Sequence, residues 1–411
     1  MKIEVDTLII GAGVIGSSVA MHLAEQGATD IRVVDFDLEG SLSSSELNAG
    51  GVRATWYHPI NIGMSKATIE FFADHADEVG YRACGYLWLH ASDRIEAALA
   101  GREKMLKVGW PVEAWDVGRL KKKVPFIDKT DGIAGAIFAP RDGLVNPNLV
   151  KNFYRARAKK KGVAFDDRSL IRLAKFEPGS KKSWKVSAER FEGPISTDFK
   201  IKMFASYPGD SETVNVEYHA ERVINCAGPW AARIASILGY ESPCVAVRRQ
   251  VSIFDCRDVD LTPYGMIVDT SGVYFHPEAT NGLAGFATPG EPGGINFNYD
   301  GDTFFMEKIW PALFERSTGF ERLKHVTGWA GHYEVSPDES AIVGDVDLVP
   351  ASRGKLFEAH SFSGHGVMHS YAAGKALVEK IVRGKYETLD LSALSARRFS
   401  GGHEVRESLV I

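Results

Sequence analysis

The chain has 411 residues, 45% hydrophobic and 25% charged, with 41 glycines and 17 prolines. That charged fraction is ordinary for a soluble globular protein, and the length suggests two or three domains. Lys and Arg number 48 against 53 Asp and Glu, and the net charge of −5 offers no basic footprint for nucleic acid. Cys84, Cys226, Cys244 and Cys256 show no CxxC spacing and no paired histidines, so no metal site is expected. Such scarce cysteine suits a reducing compartment. Neither a signal peptide nor an apolar run near the ~18 residues of a membrane span is apparent. The expectation is a cytoplasmic catalytic protein without a transmembrane segment.

Val5–Ile10 is a β-branched apolar run of the kind found in buried parallel strands. Gly11-Ala-Gly13-Val14-Ile15-Gly16 follows, opening a helix with Ile15, Val19 and Leu23 on its apolar face. Gly27 ends that helix, and Ile31–Asp35 forms a second strand. In this βαβ unit Gly11 permits the tight turn and Gly13 admits a pyrophosphate against the backbone. Gly16 lets helix and strand pack closely, and the phosphate sits on the helix N-terminus. Asp35 lies about 20 residues on, where a carboxylate accepts a ribose hydroxyl and disfavours a 2′-phosphate. The unit therefore predicts a dinucleotide, and leaves FAD and NAD both open.

Residues 42–52 are a polar loop of small side chains, and 64–107 read as mainly helical with a short strand around Trp88. Lys121–Lys123 reads as a solvated turn. Residues 141–150 carry turn chemistry before a helix that runs to about Lys161. Residues 177–219, rich in Lys, Ser, Glu and Pro, read as hairpins at a domain edge. Strand-like alternation dominates 245–290, and Leu356–Ala359 leads to a helix over 366–384.

Three later segments carry a resemblance. Arg222–Ala231, with Ala227, Gly228 and Trp230, looks like the second nucleotide-contact strand of flavoproteins. Gly331-His-Tyr333-Glu-Val-Ser336-Pro337-Asp338, running to Gly344, resembles a G-x-Y-x-x-[TS]-P-D strand and turn. Phe362-Ser363-Gly364-His365-Gly366, continuing through Val367 and Met368 into a helix, resembles a flavin-facing loop. With Ser44, Ser45, Asn48, Ala49, Gly50, Gly51 and Arg53, these segments resemble the D-amino-acid-oxidase-like FAD-dependent superfamily. The glycine oxidase, sarcosine oxidase and proline dehydrogenase branch is the nearest in kind.

The resemblance implies an α/β fold, a Rossmann-type FAD-binding domain with an inserted mixed β-sheet substrate domain. The FAD-binding segments would be 1–80, 141–176, 220–244 and 321–411. The substrate segments would be 81–140 and 245–320, with 177–219 as edge hairpins of the substrate domain. Non-covalent FAD is expected, because Gly331 stands where covalent relatives tether the flavin through Cys; His332 and His58 remain as other tethers. A flavin site also needs glycine-lined backbone near the ring and a helix N-terminus near its N1–C2=O end, which Gly364-His365-Gly366 supplies.

A carboxylate substrate needs a cation, and Arg53, Arg248 and Arg249 are the candidates. In the G-x-Y-x-x-P-E stretch 272–278, Tyr274 and His276 share one strand face while Phe275 takes the other. The resemblance thus implies oxidation of a small amino or imino acid by hydride transfer to flavin N5. Arg53, Arg249, Tyr274, His276 and His365 are the expected catalytic residues. Met368 stands where sarcosine oxidases carry a lysine, and a thioether has no charge to stabilise a superoxide-like anion. A dehydrogenase is therefore expected, with a quinone, a flavoprotein or O₂ as acceptor. Two alternatives stand beside it: an FAD-binding assembly or scaffold protein without turnover, and a 2-hydroxyacid dehydrogenase.

Overall fold

The computed structural model describes residues 1–206, 215–407 and 409. Its strands form two large sheets and one short pair. At the centre of the first sheet lies Lys2–Ile10, parallel to Ile31–Val34 on one side and to Val216–Asn225 on the other. Ala164–Asp166 continues the sheet beyond Ile31–Val34, and Leu356–His360 continues it beyond Val216–Asn225, both parallel. The chain fills one side of the central strand first and the other side later. Strand order therefore reverses between Lys2–Ile10 and Val216–Asn225. Such a reversal opens a crevice at the carboxyl ends of the strands. Those ends are stitched together by backbone: Cys226 N–H donates to Ile10 O at 2.8 Å, and Gly11 N–H to Val34 O at 2.9 Å.

The helix Val14–Glu25 packs between the helices Pro147–Lys160 and Gly366–Arg383. Its expected apolar face of Ile15, Val19 and Leu23 is buried, and so is every residue from Val14 to Ala24. Covering on all sides explains the small residues there. Ser18 Oγ donates to Ser370 O at 2.8 Å, and a Cβ on Gly374 would fall 2.3 Å from Ser18 Oγ. Only glycine lets those two helices touch.

The second sheet runs in the order Lys324–Val335, Val245–Asp255, Asn281–Phe286, Tyr274–Glu278, Met266–Val268, Tyr86–His90, Gly135–Ala139, Glu113–Trp115. All neighbours are antiparallel except Met266–Val268 beside Tyr86–His90. The molecule is thus α/β, a Rossmann-type sheet joined to a mixed one. Among the described residues no helix is long and apolar enough to cross a membrane.

Two segments depart from the sequence reading. The hairpin in 177–219 extends the first sheet instead of edging the second: Trp184–Arg190 pairs antiparallel with Ser169–Phe176 and with Val216–Ala220. Trp184, Val186 and Ala188 join the apolar cluster of Val5, Leu8 and Tyr218, which fixes that side of the sheet as their home. Thr197–Ser206 is a helix, and 207–214 of the same segment lie outside the described residues. Lys324–Val335, expected with the nucleotide-binding segments, instead pairs along Val245–Asp255 in the second sheet.

Near the C-terminus, the buried Arg398 guanidinium holds Asp338 through two bonds, Nε to Oδ2 at 2.7 Å and Nη2 to Oδ1 at 2.8 Å. Burial pushes the Asp338 carboxyl up, but Arg398 and the Val405 and Ser340 N–H groups outweigh it and hold it below the ordinary value. Arg398→Leu should cost about 3–5 kcal/mol, because it leaves a buried carboxylate unpaired. The loss is read as a lowered urea midpoint. Its pH dependence follows from a depressed carboxyl: the stability Asp338 contributes in the unaltered protein is fully present above the unfolded value of about 3.9 and is lost as pH falls below it, so the deficit shrinks in acid.

Candidate active site

The crevice at the strand reversal widens into a cleft between the two sheets, with about 1810 Å³ of unfilled space counted out to its mouth. At one end stands the glycine turn. Gly11 has φ +102°, and a Cβ there would lie 2.3 Å from Cys226 O. Gly13 is extended, and its Cβ would meet only Ser45 Oγ at 3.3 Å, so its open side faces the cleft. Gly16 does not line the cleft; a Cβ there would strike Gly11 O at 1.9 Å. The helix that starts at Val14 has no side-chain cap on its N-cap residue, Gly13. Its N-terminal N–H groups are the unsatisfied donors that suit an anion. Ser45 Oγ takes one, from Val14 at 3.0 Å.

Asp35 closes the second strand beside this turn. Its carboxylate accepts from Ala12 N–H at 2.6 Å and Asp37 N–H at 2.9 Å. Burial pushes its pKa up, against those two N–H groups, and it retains lone pairs for a further donor. From the opposite side Arg155 donates to Ala12 O, Leu38 O and Ser17 Oγ, clamping the turn. Phe36, Leu170, Phe204 and Trp230 form an apolar wall at this end. Phe204 comes from the helix 197–206 that sequence reasoning read as hairpin.

Further along, Ser44, Asn48, Ala49 and Gly51 line the cleft, as do Ala227, Gly228 and Gly331. Ser44 Oγ donates to His332 O at 2.6 Å, and Asn48 Oδ1 accepts from Gly50 N–H at 2.6 Å. Gly50 does not line it; with φ +76° and a Cβ position 2.6 Å from Val145 O, its role is the turn itself. Of the two candidate tethers, His332 lines the cleft and accepts from Asn296 N–H at 2.8 Å, while His58 caps the helix Pro59–Asp74 away from it.

Glu334 is a site residue that sequence reasoning missed. It lines the cleft with Oε1 accepting from Phe362 N–H at 3.3 Å and Oε2 without a partner. Burial pushes its carboxyl up to about 7, against the pull of His360 and that N–H. An acid directly after the motif tyrosine was the available signal.

At the far end the helix Gly366–Arg383 begins, again with no side-chain cap on its N-cap residue, and Gly366, Val367 and Met368 face the cleft. His365 lies edge-on to Trp56, ring centroids 4.2 Å apart, with Nε2 unpartnered. Burial, then the charges of Arg53 and His369, push its pKa well below the ordinary value, so it is neutral. One turn on, His369 is pushed down to about 3 by burial and by Arg53.

Arg53 and Arg249 also line the cleft, with Tyr86, Tyr274 and Tyr333. Arg53 is fully buried, with its guanidinium 3.5 Å from the Trp56 ring centroid and bonded to Thr55 O and Leu409 O. The Arg249 guanidinium lies 5.0 Å from the Tyr333 ring centroid; Nη1 donates to Arg248 O at 3.0 Å, and Nε has no partner. Arg248 points away, paired with Glu291 at 2.6 Å and Asp300 at 3.0 Å. Tyr274 lines the cleft but His276 does not: its Nδ1 bonds Pro277 O at 2.8 Å, away from the opening.

The sequence model of the DAO family, described as FAD dependent oxidoreductase, matches residues 6–380. FAD-dependent oxidoreductase domain-containing protein 1 of Xenopus laevis is 32% identical, over 96% of this chain and 82% of that protein. Human mitochondrial dimethylglycine dehydrogenase is 24% identical over 97% of this chain, which spans 45% of that longer protein. In fold, L-proline dehydrogenase from P. horikoshii superposes with a TM-score of 0.81 at 20% identity, covering 99% of this chain and 100% of that one. Glycine oxidase from Geobacillus kaustophilus gives 0.75 at 19% identity, over 96% and 99%. The chain belongs to the DAO family of FAD-dependent oxidoreductases.

Proposed function

We propose that this protein holds FAD without a covalent link and oxidises a small α-amino or imino acid as a dehydrogenase. The observation that carries the reading is the pair of guanidiniums, Arg53 and Arg249, in a neutral aromatic wall facing an uncapped helix start. Relatives named for amine-bearing acids support it, dimethylglycine dehydrogenase and the 4-methylaminobutanoate oxidase of Paenarthrobacter nicotinovorans among them.

The cleft fits the cofactor residue by residue. The uncapped helix start at Val14 and the open side of Gly13 suit a pyrophosphate, and Asp35 offers acceptors to a ribose. Backbone without side chains at Gly364 and Gly366, with the positive end of the second helix, suits a ring that becomes anionic on reduction. Bound FAD supplies a hydride acceptor at N5. Arg53 would bind the substrate carboxylate, and the positive field of both arginines favours the neutral amine that hydride loss requires. His365 Nε2, neutral and unpartnered, is available for a hydrogen bond to the neutral amine. Around Met368 the two histidines are neutral, and Arg53 is answered by a bound carboxylate. Little charge is then left to stabilise a superoxide-like anion.

Three expectations follow from this site. Acid precipitation should release yellow flavin into the supernatant, and colour staying with the precipitate would refute the non-covalent reading. Gly13→Val, at an extended backbone position open to the cleft, should give a folded colourless protein. Gly16→Ala should instead lower thermal stability, since its Cβ meets backbone.

Under anaerobic conditions α-amino or imino acids should bleach the flavin, whereas amines without a carboxylate should not. Arg53→Met should weaken their binding by about 1.5–3 kcal/mol, roughly 10- to 150-fold. Bleaching by 2-hydroxy acids alone would overturn the amine assignment. In stopped flow, the reduced protein should reoxidise slowly in air-saturated buffer and faster after Met368→Lys. Rapid reoxidation of the unaltered protein with stoichiometric peroxide would make it an oxidase.

A further inference from the structure

Two guanidiniums share one cleft, and among the described residues neither has a carboxylate within ion-pair distance. The contrast is in the next residue, since Arg248 holds Glu291 and Asp300 on the opposite face of the same strand. The acids that act on Arg53, Glu407 and Asp142, do so from farther away, as Glu339 does on Arg249. Tyr86, Tyr274 and Tyr333, which line the cleft with the two cations, bring no compensating charge. Burial pushes the phenols of Tyr86, Tyr274 and Tyr333 up, so all three are un-ionised at neutral pH, and Met266 and Val251 are apolar.

A buried cation answered only by carbonyl oxygens and ring faces keeps part of its desolvation cost, and an anion brought by a ligand is the available compensation. One carboxylate answers one guanidinium and leaves the other exposed to the same cost. The flavin does not account for Arg249, because the start of the helix at Gly366 already offers positive potential to the ring. Arg249 belongs to the second sheet, over Tyr333 and with its Nε unsatisfied.

We infer that the substrate is a dianion: an amine carrying two carboxylates, such as an imino diacid, with Arg53 and Arg249 each holding one. The inference rests on the amino-acid reading above and narrows it. Two carboxylates alone would favour the protonated amine, and two guanidiniums cancel that field, so the nitrogen can reach the neutral form.

The test uses a matched pair of probes without an oxidisable nitrogen, methoxyacetate and diglycolate, which differ by one carboxylate. Each is titrated against the FAD-loaded protein and followed by perturbation of the flavin absorption. Diglycolate should bind at least tenfold more tightly. That ratio should fall to near one in Arg249→Met and be largely retained in Arg249→Lys, with thermal midpoints confirming that both variants fold. Equal binding of the two probes by the unaltered protein, or a ratio that survives Arg249→Met, overturns the dianion. Methoxyacetate binding as tightly as diglycolate would still leave the amino-acid reading standing. If neither probe perturbs the flavin and no amino acid bleaches it, both readings fall together.

Discussion

The backbone contact between Gly11 and Cys226 is the constraint on which the rest of the molecule depends. It exists because Lys2–Ile10 and Val216–Asn225 run parallel and adjacent while the chain leaves them in opposite directions. Cys226 O would lie 2.3 Å from any Cβ on Gly11, so the turn closes only around glycine in a left-handed conformation. That turn sets where the helix at Val14 begins, and Gly16 sets how near its first turn can come to Gly11 O. The donors at the helix start, the acceptors of Asp35 and the open side of Gly13 are all consequences of this approach. A crevice produced by topology becomes an anion site because the backbone cannot pack there any other way.

Electrostatics divide the cleft in a similar manner. At the nucleotide end the cations, Arg155 and Lys200, are spent on fixing protein groups, Arg155 on carbonyls and Lys200 on Asp37. Anion binding there falls to backbone N–H groups. At the substrate end Arg53 and Arg249 are bonded to carbonyl oxygens, with no carboxylate at ion-pair distance among the described residues, and the phenols around them are held neutral by burial. Histidines 365 and 369 sit at the boundary, too desolvated to carry charge beside Arg53. A neutral imidazole can hydrogen-bond a neutral amine, where a charged one would add to the positive field of Arg53.

What the sequence made legible was what local spacing controls. The βαβ unit reads directly because each glycine answers a backbone requirement within a few residues of itself. The segments at Arg222, Gly331 and Phe362 are similarly compact. What stayed hidden needed long-range pairing. Alternation puts Arg248 and Arg249 on opposite faces of a strand, but it does not say which face meets the cleft; that depends on the register with Lys324–Val335. The same limit applied to Tyr274 and His276, which alternation placed on one face, although the opening of the cleft reaches only Tyr274. The helix at 197–206 carries too few apolar residues in a clean helical pattern to be told from hairpin. Tyr333 was legible as a motif tyrosine but not as part of the cleft wall, and Tyr86 stood in no motif.

The two sheets meet where Tyr333 and Glu334 pass beneath the loop Ser361–Gly364, and the contacts there decide how substrate and cofactor face each other. Ser361 and Ser363 have φ of 58° and 50°, a conformation that costs non-glycine residues of order 1–3 kcal/mol each. Glu334 offsets part of that cost from below, its backbone O accepting Ser363 N–H at 3.0 Å and its carboxyl accepting Phe362 N–H. Gly364 follows, where a Cβ would lie 2.3 Å from the Tyr333 ring, and His365 N–H then returns to Phe362 O at 2.8 Å to start the helix. A strand of the second sheet thus aims the head of a helix that packs on the first. Because the same strand carries Tyr333, over which Arg249 lies, the cation and the helix start are referred to one rigid element. Their relative position is therefore set by the register between Val245–Asp255, which carries Arg249, and Lys324–Val335, which carries Tyr333 and Glu334, and any slip of that register would move the cation relative to the helix start.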